Sequence, residues 1–244
     1  MLKVTNLKKY FGGVKAVNRC SFEIKKNTIT ALIGPNGAGK STVFNLITGL
    51  LKVDDGNIYL EDKDITNLPP EKISQLGISR MFQQSRIFDN LTVKDNLILS
   101  LDNEDTKFWK NFFSINREEE KIKRVKELLS WVGMSNYMNK LARDLSYGQK
   151  RLIELCRTIL NPHKLLILDE PVAGINPKLR NLIKKLLLEL KKKGDTILII
   201  EHDTEFTLSI SDWVLVMDEG RIISEGKPSK IRRDPKVLEA YLGE

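Results

Sequence analysis

The segment GPNGAGKS, Gly34–Ser41, has the residue types and the spacing that bind phosphate groups. It matches the pattern G-x-x-x-x-G-K-[ST] and stands between a strand-like and a helix-like segment, as this motif requires. Glycines let backbone N–H groups crowd around phosphate oxygens, Lys40 can reach the β and γ phosphates, and the Ser41 hydroxyl can ligate Mg²⁺. A plain glycine-rich helix cap is the alternative, which the flanking elements disfavour. The predicted phosphate-binding residues are Gly34, Pro35, Asn36, Gly37, Ala38, Gly39, Lys40, Ser41 and Thr42.

Two carboxylates, Asp169 and Glu170, stand directly after the apolar run LLIL. The run predicts a buried strand, and in an open parallel sheet the carboxyl ends of the strands line the ligand crevice. Asp169 can therefore hold the magnesium shell, while Glu170 can face an attacking water. Because paired carboxylates at a strand exit are common in themselves, this interpretation depends on the phosphate loop in the same chain.

Three further polar residues stand at predicted strand ends. His202 follows TILII after Glu201, at the predicted end of that strand, where its imidazole could donate to a γ-phosphate, although a lone histidine there is more often a solvated loop residue. Gln83 or Gln84, at the end of ISRMFQQ, could orient water or magnesium, and an ordinary amide at a strand exit is an equal alternative. None of the three is decisive by itself.

The segment LSYGQK, Leu145–Lys150, predicts a second anion site. Serine followed closely by glycine and glutamine, ahead of an apolar helical run, prepares a helix N-terminus for an anion. The phosphate loop lies far upstream. The chain therefore has two predicted anion sites that are distant in sequence.

Alternating patterns predict the elements that must position these residues. The segments TITALIG, ISRMFQQ, LLILDE and TILIIEH indicate strands of an α/β core, and two N-terminal segments alternate apolar and polar residues as short antiparallel strands do. WVLVMDEGRIISEG predicts a hairpin that turns at Glu219-Gly220. A helix is predicted over NREEEKIKRVKELLSWVG with Asn116 as its cap, and another from Pro177 to Lys193 with Asn176 as its cap.

The predicted fold class is α/β, with a P-loop (RecA-like) parallel sheet core, an antiparallel β flank and a helical insertion. A single domain is expected over residues 1–244. Within it, residues 1–84 and 155–244 are assigned to the α/β core with its flank, and residues 85–154 to the helical subdomain.

Composition restricts the class of protein. The hydrophobic content of 41% and the mean hydropathy of -0.26 are ordinary for a soluble globular protein. Apolar runs fall far short of the roughly 20 residues of a membrane helix, and the N-terminus has no apolar export segment, so a cytoplasmic location is expected. Cys156 lies among apolar residues at helical spacing, which favours a buried free thiol over a disulfide with Cys20.

The net charge of +8 permits an anionic partner without choosing one. The basic runs KKK and KIRRDPK lack the interleaved aromatic residues of a nucleic-acid platform. No nucleic-acid partner is therefore expected.

Five motifs in order, GPNGAGKST, FQQ, LSYGQKR, LLILDEP and IIEHD, resemble those of the nucleotide-binding subunits of ABC transporters. The resemblance covers essentially the whole chain, and the order and spacing of the motifs are highly specific. The segments LSYGQ, EPVAGINP and IRRDPKVLEAYLGE resemble more specifically those of the branched-chain amino-acid importer ATPases of bacteria and archaea.

The resemblance implies roles for individual residues at the nucleotide. Phe11 would stack on adenine, with Tyr10 as the neighbouring candidate. Gln83 would be the loop glutamine that senses both magnesium and the membrane subunits. Ser41, Gln83 and Asp169 are thus the implied metal ligands.

The resemblance also implies catalytic roles for two residues and an ATP site that two subunits share. Glu170 would be the general base and His202 the γ-phosphate switch. Ser146, Gly148 and Gln149 would form the signature that binds ATP held by another subunit, in a head-to-tail dimer with itself or with a paralogue, the latter being favoured. The two anion sites of one chain would then be halves of two different ATP sites.

The implied function is that of the ATP-hydrolysing subunit of an importer, for branched-chain or related amino acids. ATP and Mg²⁺ are the implied ligands, and integral membrane permease subunits are the implied partners, at the cytoplasmic face of the cell membrane. The solute is not readable from this chain, because solute contacts belong to other subunits.

The sequence departs from the broad family pattern at two positions. Tyr147 replaces the first glycine of L-S-G-G-Q, which is tolerable only if that backbone needs no positive φ. Asn176 stands where most relatives have aspartate, which weakens a role for that side chain in communication between sites, and a helix-capping role is an equal alternative. The aromatic cluster KFWKNFF, Lys107–Phe113, could contact a membrane partner, although packing within the helical insertion is favoured.

Three other classes of protein are alternatives to the importer ATPase. A soluble ABC-type ATPase of DNA repair or translation usually carries a long coiled-coil insertion or two cassettes, and this chain has neither. A P-loop small-molecule kinase would leave LSYGQ and Glu170 without a purpose. A regulatory module without turnover is disfavoured by the presence of Glu170 and His202.

Overall fold

The computed structural model describes residues 1–82, 87–101, 115–201 and 203–242. The strands are β1 (Leu2–Phe11), β2 (Val14–Ile24), β3 (Ile29–Ile33), β4 (Asp55–Leu60), β5 (Lys63–Asp64), β6 (Ile78–Met81), β7 (Leu165–Asp169), β8 (Thr196–Ile200), β9 (Trp213–Asp218) and β10 (Arg221–Gly226). The helices are α1 (Lys40–Ile47), α2 (Pro70–Gln75), α3 (Val93–Ile98), α4 (Ile115–Trp131), α5 (Tyr147–Leu160), α6 (Pro177–Lys192), α7 (Thr204–Ile210), α8 (Pro228–Ile231) and α9 (Pro235–Leu242).

The larger sheet has the strand order β10-β9-β3-β8-β7-β6. Strands β9, β3, β8, β7 and β6 are parallel to their neighbours, and β10 joins β9 as the antiparallel arm of the predicted hairpin. Because parallel strands point the same way, the carboxyl ends of β3, β6, β7 and β8 lie at one edge of the sheet. The sheet thus gathers the predicted phosphate loop and the carboxylate pair at one edge.

The smaller sheet is antiparallel, with the order β2-β1-β4-β5. The first two strands, ten and eleven residues long, exceed the short strands predicted there. Their pairing contains register shifts between Val4 and Leu7 and between Lys9 and Tyr10. Such irregularities bend long strands and break the simple alternation that sequence patterns use to measure strand length.

Apolar side chains cover both faces of the larger sheet. Ile29, Ala31 and Ile33 face the helices α5 and α6, whereas Leu32 faces α1 and the smaller sheet. The core strand β3 is buried at every position, as expected of a central parallel strand. The α/β fold class predicted from the sequence is confirmed, with the antiparallel flank and the inserted helices.

The helical part contains one wrong prediction and one open one. Asn116 is the second residue of α4 and so does not precede the helix as its cap. The predicted boundary between residues 154 and 155 falls inside α5, so one helix crosses from the proposed helical subdomain into the proposed core. The division into these parts stays a prediction.

Cys20 and Cys156 are both buried and free, as predicted for Cys156. They lie on opposite faces of the larger sheet, in different apolar clusters. Burial disfavours the thiolate and raises the pKa of each thiol to about 12.

Within the described ranges, no helix combines the length and the apolar character that crossing a membrane demands.

Candidate functional site

The phosphate loop connects β3 to α1 and is pressed against neighbouring backbone. Gly39, which precedes α1, has a φ of 100°, and a Cβ there would lie 2.2 Å from the carbonyl oxygen of Ala16. A Cβ on Gly34 would lie 2.0 Å from the carbonyl oxygen of Met217. Any side chain at either position would therefore push the loop out of place, which explains two of the motif's glycines.

Lys40 is the first residue of α1, and its side chain folds back over the loop. The residue is only 6% exposed. Its Nζ donates to the carbonyl oxygens of Gly34 and Pro35, each at 2.7 Å. An entering phosphate group would bring negative charge to the same ammonium, which the loop holds in advance.

A cavity of about 680 Å³ opens over this loop, a size that suits a small-molecule ligand. Lys40, Ser41 and Thr42 line it together with Glu170, so residues from the ends of two separated strands share one space. The other lining residues are Val14, Lys15, Ala16, Asn18, Asn36, Gly37, Gly39, Glu219 and Gly220.

The two predicted adenine-stacking residues lie at the end of β1, outside the lining of this cavity. Phe11 and Tyr10 are both exposed, and the Nζ of Lys9 lies 5.5 Å from the centre of the Phe11 ring. Val14 and Lys15, just across the turn, do line the cavity. The stacking role of either aromatic residue stays a prediction.

Asp169 is the last residue of β7 and is buried against a cation. It is 4% exposed, and its Oδ2 accepts a hydrogen bond from Nη2 of Arg80 at 3.1 Å. Burial raises the pKa of the Asp169 carboxyl above its ordinary value, and the nearby Arg80 guanidinium opposes that rise.

Glu170 follows with an uncommon backbone conformation. Its φ is 49°, and its N–H donates to the carbonyl oxygen of Ile200 at 2.9 Å. A non-glycine residue in the left-handed region costs about 1–3 kcal/mol and persists only where the surroundings enforce it. This turn ends β7 and places Glu170 on the cavity that Lys40 also lines.

Arg151, on α5, bonds the backbone on which both carboxylates stand. Its Nη2 donates to the carbonyl oxygens of Asp169 at 2.7 Å and Glu170 at 2.8 Å. Its Nη1 donates to the carbonyl oxygen of Phe82 at 2.8 Å and to Oε2 of Glu154 at 2.9 Å. One guanidinium, 3% exposed, thereby links α5 to the ends of two core strands.

Sequence reasoning missed Arg151 and its partner Glu154. A signal was present, since Arg151 and Glu154 stand three residues apart on a helix face between apolar residues. Charged residues at such positions are buried only when they are paired. The carbonyl partners of Arg151 could not be read from any spacing.

We expect Arg151→Met to destabilise the fold by about 3 kcal/mol, because Glu154 would lose a buried counter-charge and three carbonyl groups would lose a donor. Urea denaturation measures the free energy of unfolding. Adding Glu154→Met should recover part of the loss, because the double variant also removes the buried carboxylate that Arg151 neutralises. A loss below about 1 kcal/mol in the single variant would contradict a structural role for this guanidinium.

The second predicted anion site is the N-terminus of α5. Ser146 caps the helix: its Oγ accepts from the N–H of Gln149 at 3.4 Å, and Oε1 of Gln149 accepts from the N–H of Ser146 at 2.9 Å. Ser146 is exposed, and Gly148 and Gln149 are partly exposed. Among the described residues, none of these three lines the cavity over Lys40. One chain therefore keeps its two predicted anion sites apart.

The two departures from the family pattern are both accommodated locally. Tyr147 is the first residue of α5, where helical φ is negative, so its backbone does not require glycine. The Tyr147 ring packs against Gly174, where an added Cβ would lie 3.3 Å from Cε1 of the ring. Asn176 caps α6, with Oδ1 accepting from the N–H of Leu179 at 2.9 Å, so the capping alternative is confirmed.

Several predicted site residues lie outside the described ranges. These are the glutamines Gln83 and Gln84, the histidine His202 and the aromatic cluster Lys107–Phe113. Their roles stay predictions.

The donor chemistry of the described residues fits ATP with Mg²⁺. A buried ammonium and a glycine cradle suit phosphate oxygens. The hydroxyl of Ser41 and the carboxylate of Asp169 are the hard oxygen donors that Mg²⁺ prefers.

Comparison with known proteins gives a consistent result. Residues 17–173 match the sequence family described as ABC transporter, and residues 221–244 match the one described as branched-chain amino acid ATP-binding cassette transporter. A probable branched-chain amino acid transport ATP-binding protein of Archaeoglobus fulgidus is 39% identical, over 100% of this chain and 95% of that protein. A high-affinity branched-chain amino acid transport ATP-binding protein of Escherichia coli K12 is 38% identical, over 100% and 98%.

Solved structures give the same result at the level of the fold. The crystal structure of the ADP conformation of an ATP-binding cassette of an ABC transporter superposes with a TM-score of 0.86. Its sequence is 39% identical, and the match covers 100% of this chain and 99% of that one.

Proposed function

Since this chain belongs to the ABC transporter family and is one of its ATPases, we propose that it powers an importer of branched-chain or related amino acids. The observation that carries the proposal is the match over the full chain length to proteins named for branched-chain amino acid transport, at 37–40% identity. The match of residues 221–244 to a family of the same description adds support from a separate segment.

The residues that share the cavity support a direct account of ATP hydrolysis. Lys40 and the N–H groups of the phosphate loop bind the β and γ phosphates. Glu170 accepts a proton from water as the water oxygen attacks the γ-phosphorus and the bond to the bridging oxygen of ADP breaks. The left-handed backbone of Glu170 and the bonds from Arg151 hold the base in place.

Magnesium has a proposed place in the same site. Ser41 and Asp169 would hold it, with Gln83 as the third candidate ligand. When bound, it neutralises charge on the phosphate oxygens. His202 is proposed as the γ-phosphate switch, on sequence grounds alone.

Two cassettes would act together, in a head-to-tail dimer with a second copy or a paralogue. The support lies in the separation of the two anion sites, because the exposed N-terminus of α5 is outside the cavity over Lys40. The proposed location is the cytoplasmic face of the cell membrane, bound to permease subunits. Each ATP would then lie between one subunit's phosphate loop and its partner's α5.

The importer proposal is tested by reconstitution with the membrane subunits and the solute-binding protein encoded in the same genome. We expect ATP-driven uptake of radiolabelled leucine, isoleucine or valine into proteoliposomes, and a rise in ATPase activity when those subunits are present. Vesicles that carry the Glu170→Gln variant are the control for uptake without turnover. Uptake of none of the three amino acids by an assembly that hydrolyses ATP would contradict the proposed substrate class.

Nucleic acid should leave the ATPase activity unchanged, because the basic runs lack stacking aromatics. The measurement adds duplex DNA, single-stranded DNA or RNA to the purified chain at low and moderate salt. Weak nonspecific phosphate contacts fade steeply with ionic strength. Stimulation that persists at moderate salt would favour the ATPase of DNA repair or translation instead.

A further inference from the structure

Arg80 is a buried cation in β6, an edge strand of the larger sheet. Its side chain is 8% exposed, and residues on either side of it, Ser79 and Met81, are buried. A buried guanidinium costs several kcal/mol of desolvation unless its partners compensate. An edge strand that needed only packing would be served as well by an apolar residue.

Among the described residues, two other elements supply hydrogen-bond acceptors for Arg80. Nη1 donates to Oδ1 of Asn45 and to Oγ1 of Thr48, both at 2.8 Å, in and directly after the last turn of α1. Nη2 donates to Oδ2 of Asp169 at 3.1 Å, at the end of β7. One planar fork therefore spans the distance between the helix that begins with Lys40 and the strand that carries Asp169.

Aromatic rings hold the guanidinium plane in this position. Its central carbon lies 5.9 Å from the ring centre of Phe44 on α1 and 5.0 Å from that of Phe82, which follows β6. Rings at such distances attract the cation and restrict its rotation. Both rings thus favour the orientation of the guanidinium that bonds α1 and Asp169.

The two carboxylate oxygens of Asp169 differ in their hydrogen bonding. Oδ2 accepts from Arg80, and Oδ1 accepts no hydrogen bond from the described residues. A carboxylate fixed through one oxygen keeps its other oxygen for a cation, as ligands of metal sites commonly do through their outer partners.

We propose that Arg80 is a positioning residue of this ATPase, which orients the Asp169 carboxylate relative to α1 so that Asp169 and Ser41 serve the same magnesium–nucleotide. The inference rests on the magnesium role proposed above for Asp169 and Ser41. Arg80 acts through Asp169 and need not touch the nucleotide.

The test measures the affinity for a fluorescent ATP analogue as a function of free Mg²⁺, in chains that also carry Glu170→Gln to prevent turnover. Arg80→Met should raise the Mg²⁺ concentration for half-maximal binding about 10- to 100-fold, the usual effect of losing an outer partner of a metal ligand. Affinity in EDTA should change less than about twofold, because the phosphate loop is untouched.

Arg157→Met is the matched control. Arg157 is a partly buried arginine on α5 that lines a surface groove together with Arg80, and its guanidinium lies over the ring of Phe88. Among the described contacts it has no bond to Asp169. The Mg²⁺ concentration for half-maximal nucleotide binding should be the same in Arg157→Met as in the parent chain. Thermal unfolding shows whether each variant is folded.

Arg80→Lys serves if the methionine variant does not fold. Lysine keeps the charge but lacks the planar fork that bonds α1 and β7 together, so the magnesium requirement should still rise at least about threefold. Equal losses with Mg²⁺ and in EDTA, or no shift in a folded variant, would overturn the inference.

Asp169→Asn separates this inference from the magnesium role on which it rests. A large magnesium shift in Asp169→Asn with none in the Arg80 variants rejects the positioning role alone. The absence of a shift in Asp169→Asn rejects both, since Arg80 is argued to act through that carboxylate.

Discussion

Replacing Glu170 by glutamine should leave ATP binding intact and reduce turnover by about 10²–10⁴-fold, the usual loss for a positioned general base. The amide keeps the size of the side chain and cannot take a proton from water. The left-handed backbone at this position is enforced by the bonds to Ile200 and Arg151, so the change should not move the loop. Binding is measured with a fluorescent ATP analogue, and turnover by steady-state release of phosphate.

Glu219→Gln is the matched control for this experiment. Glu219 is a second carboxylate on the cavity, at the turn of the β9–β10 hairpin and away from β7. We expect turnover within about tenfold of the parent chain. Near wild-type turnover in Glu170→Gln would eliminate Glu170 as the base, and equal losses in both variants would point to a general effect of charge in the cavity.

Mixing two inactive variants should restore part of the ATP-driven dimerisation. If each ATP lies between Lys40 of one subunit and Ser146 of the other, Lys40→Ala and Ser146→Arg each disable both sites of a homodimer. In the mixed pair, one site joins the two damaged parts, while the other joins an intact Lys40 to an intact Ser146. The structure motivates the test, because the helix that Ser146 caps does not line the cavity over Lys40.

Light scattering would follow dimer formation, with Glu170→Gln added to all chains to prevent turnover. Ser146→Ala is the control for the lost helix cap, which by itself costs about 1 kcal/mol of stability and adds neither bulk nor charge. No recovery at any mixing ratio, with both variants folded and the parent homodimer formed, would reject the shared site. If the natural partner is a paralogue, the same scheme applies with one mutation in each chain.

Short-range features of this chain were predictable because their partners lie within a few residues. The cap that pairs Ser146 with Gln149, the cap of α6 at Asn176 and the hairpin turn at Glu219-Gly220 all follow from local hydrogen bonding and turn geometry. The wrong cap at Asn116 shows the limit of this reasoning, since a residue that can cap a helix can also lie inside it.

The amino-acid sequence by itself determined the phosphate loop, the order of strands and helices along the chain and the buried character of the central strands. Only the tertiary structure decided which distant groups meet, such as Arg80 with Asp169, 89 residues apart, and Arg151 with the carbonyl groups of Asp169 and Glu170. The tertiary structure alone also decided the order of the strands within each sheet and the left-handed turn at Glu170. The physical reason is that caps and turns are settled by neighbouring residues, whereas the partners of a buried charge depend on how sheets and helices pack.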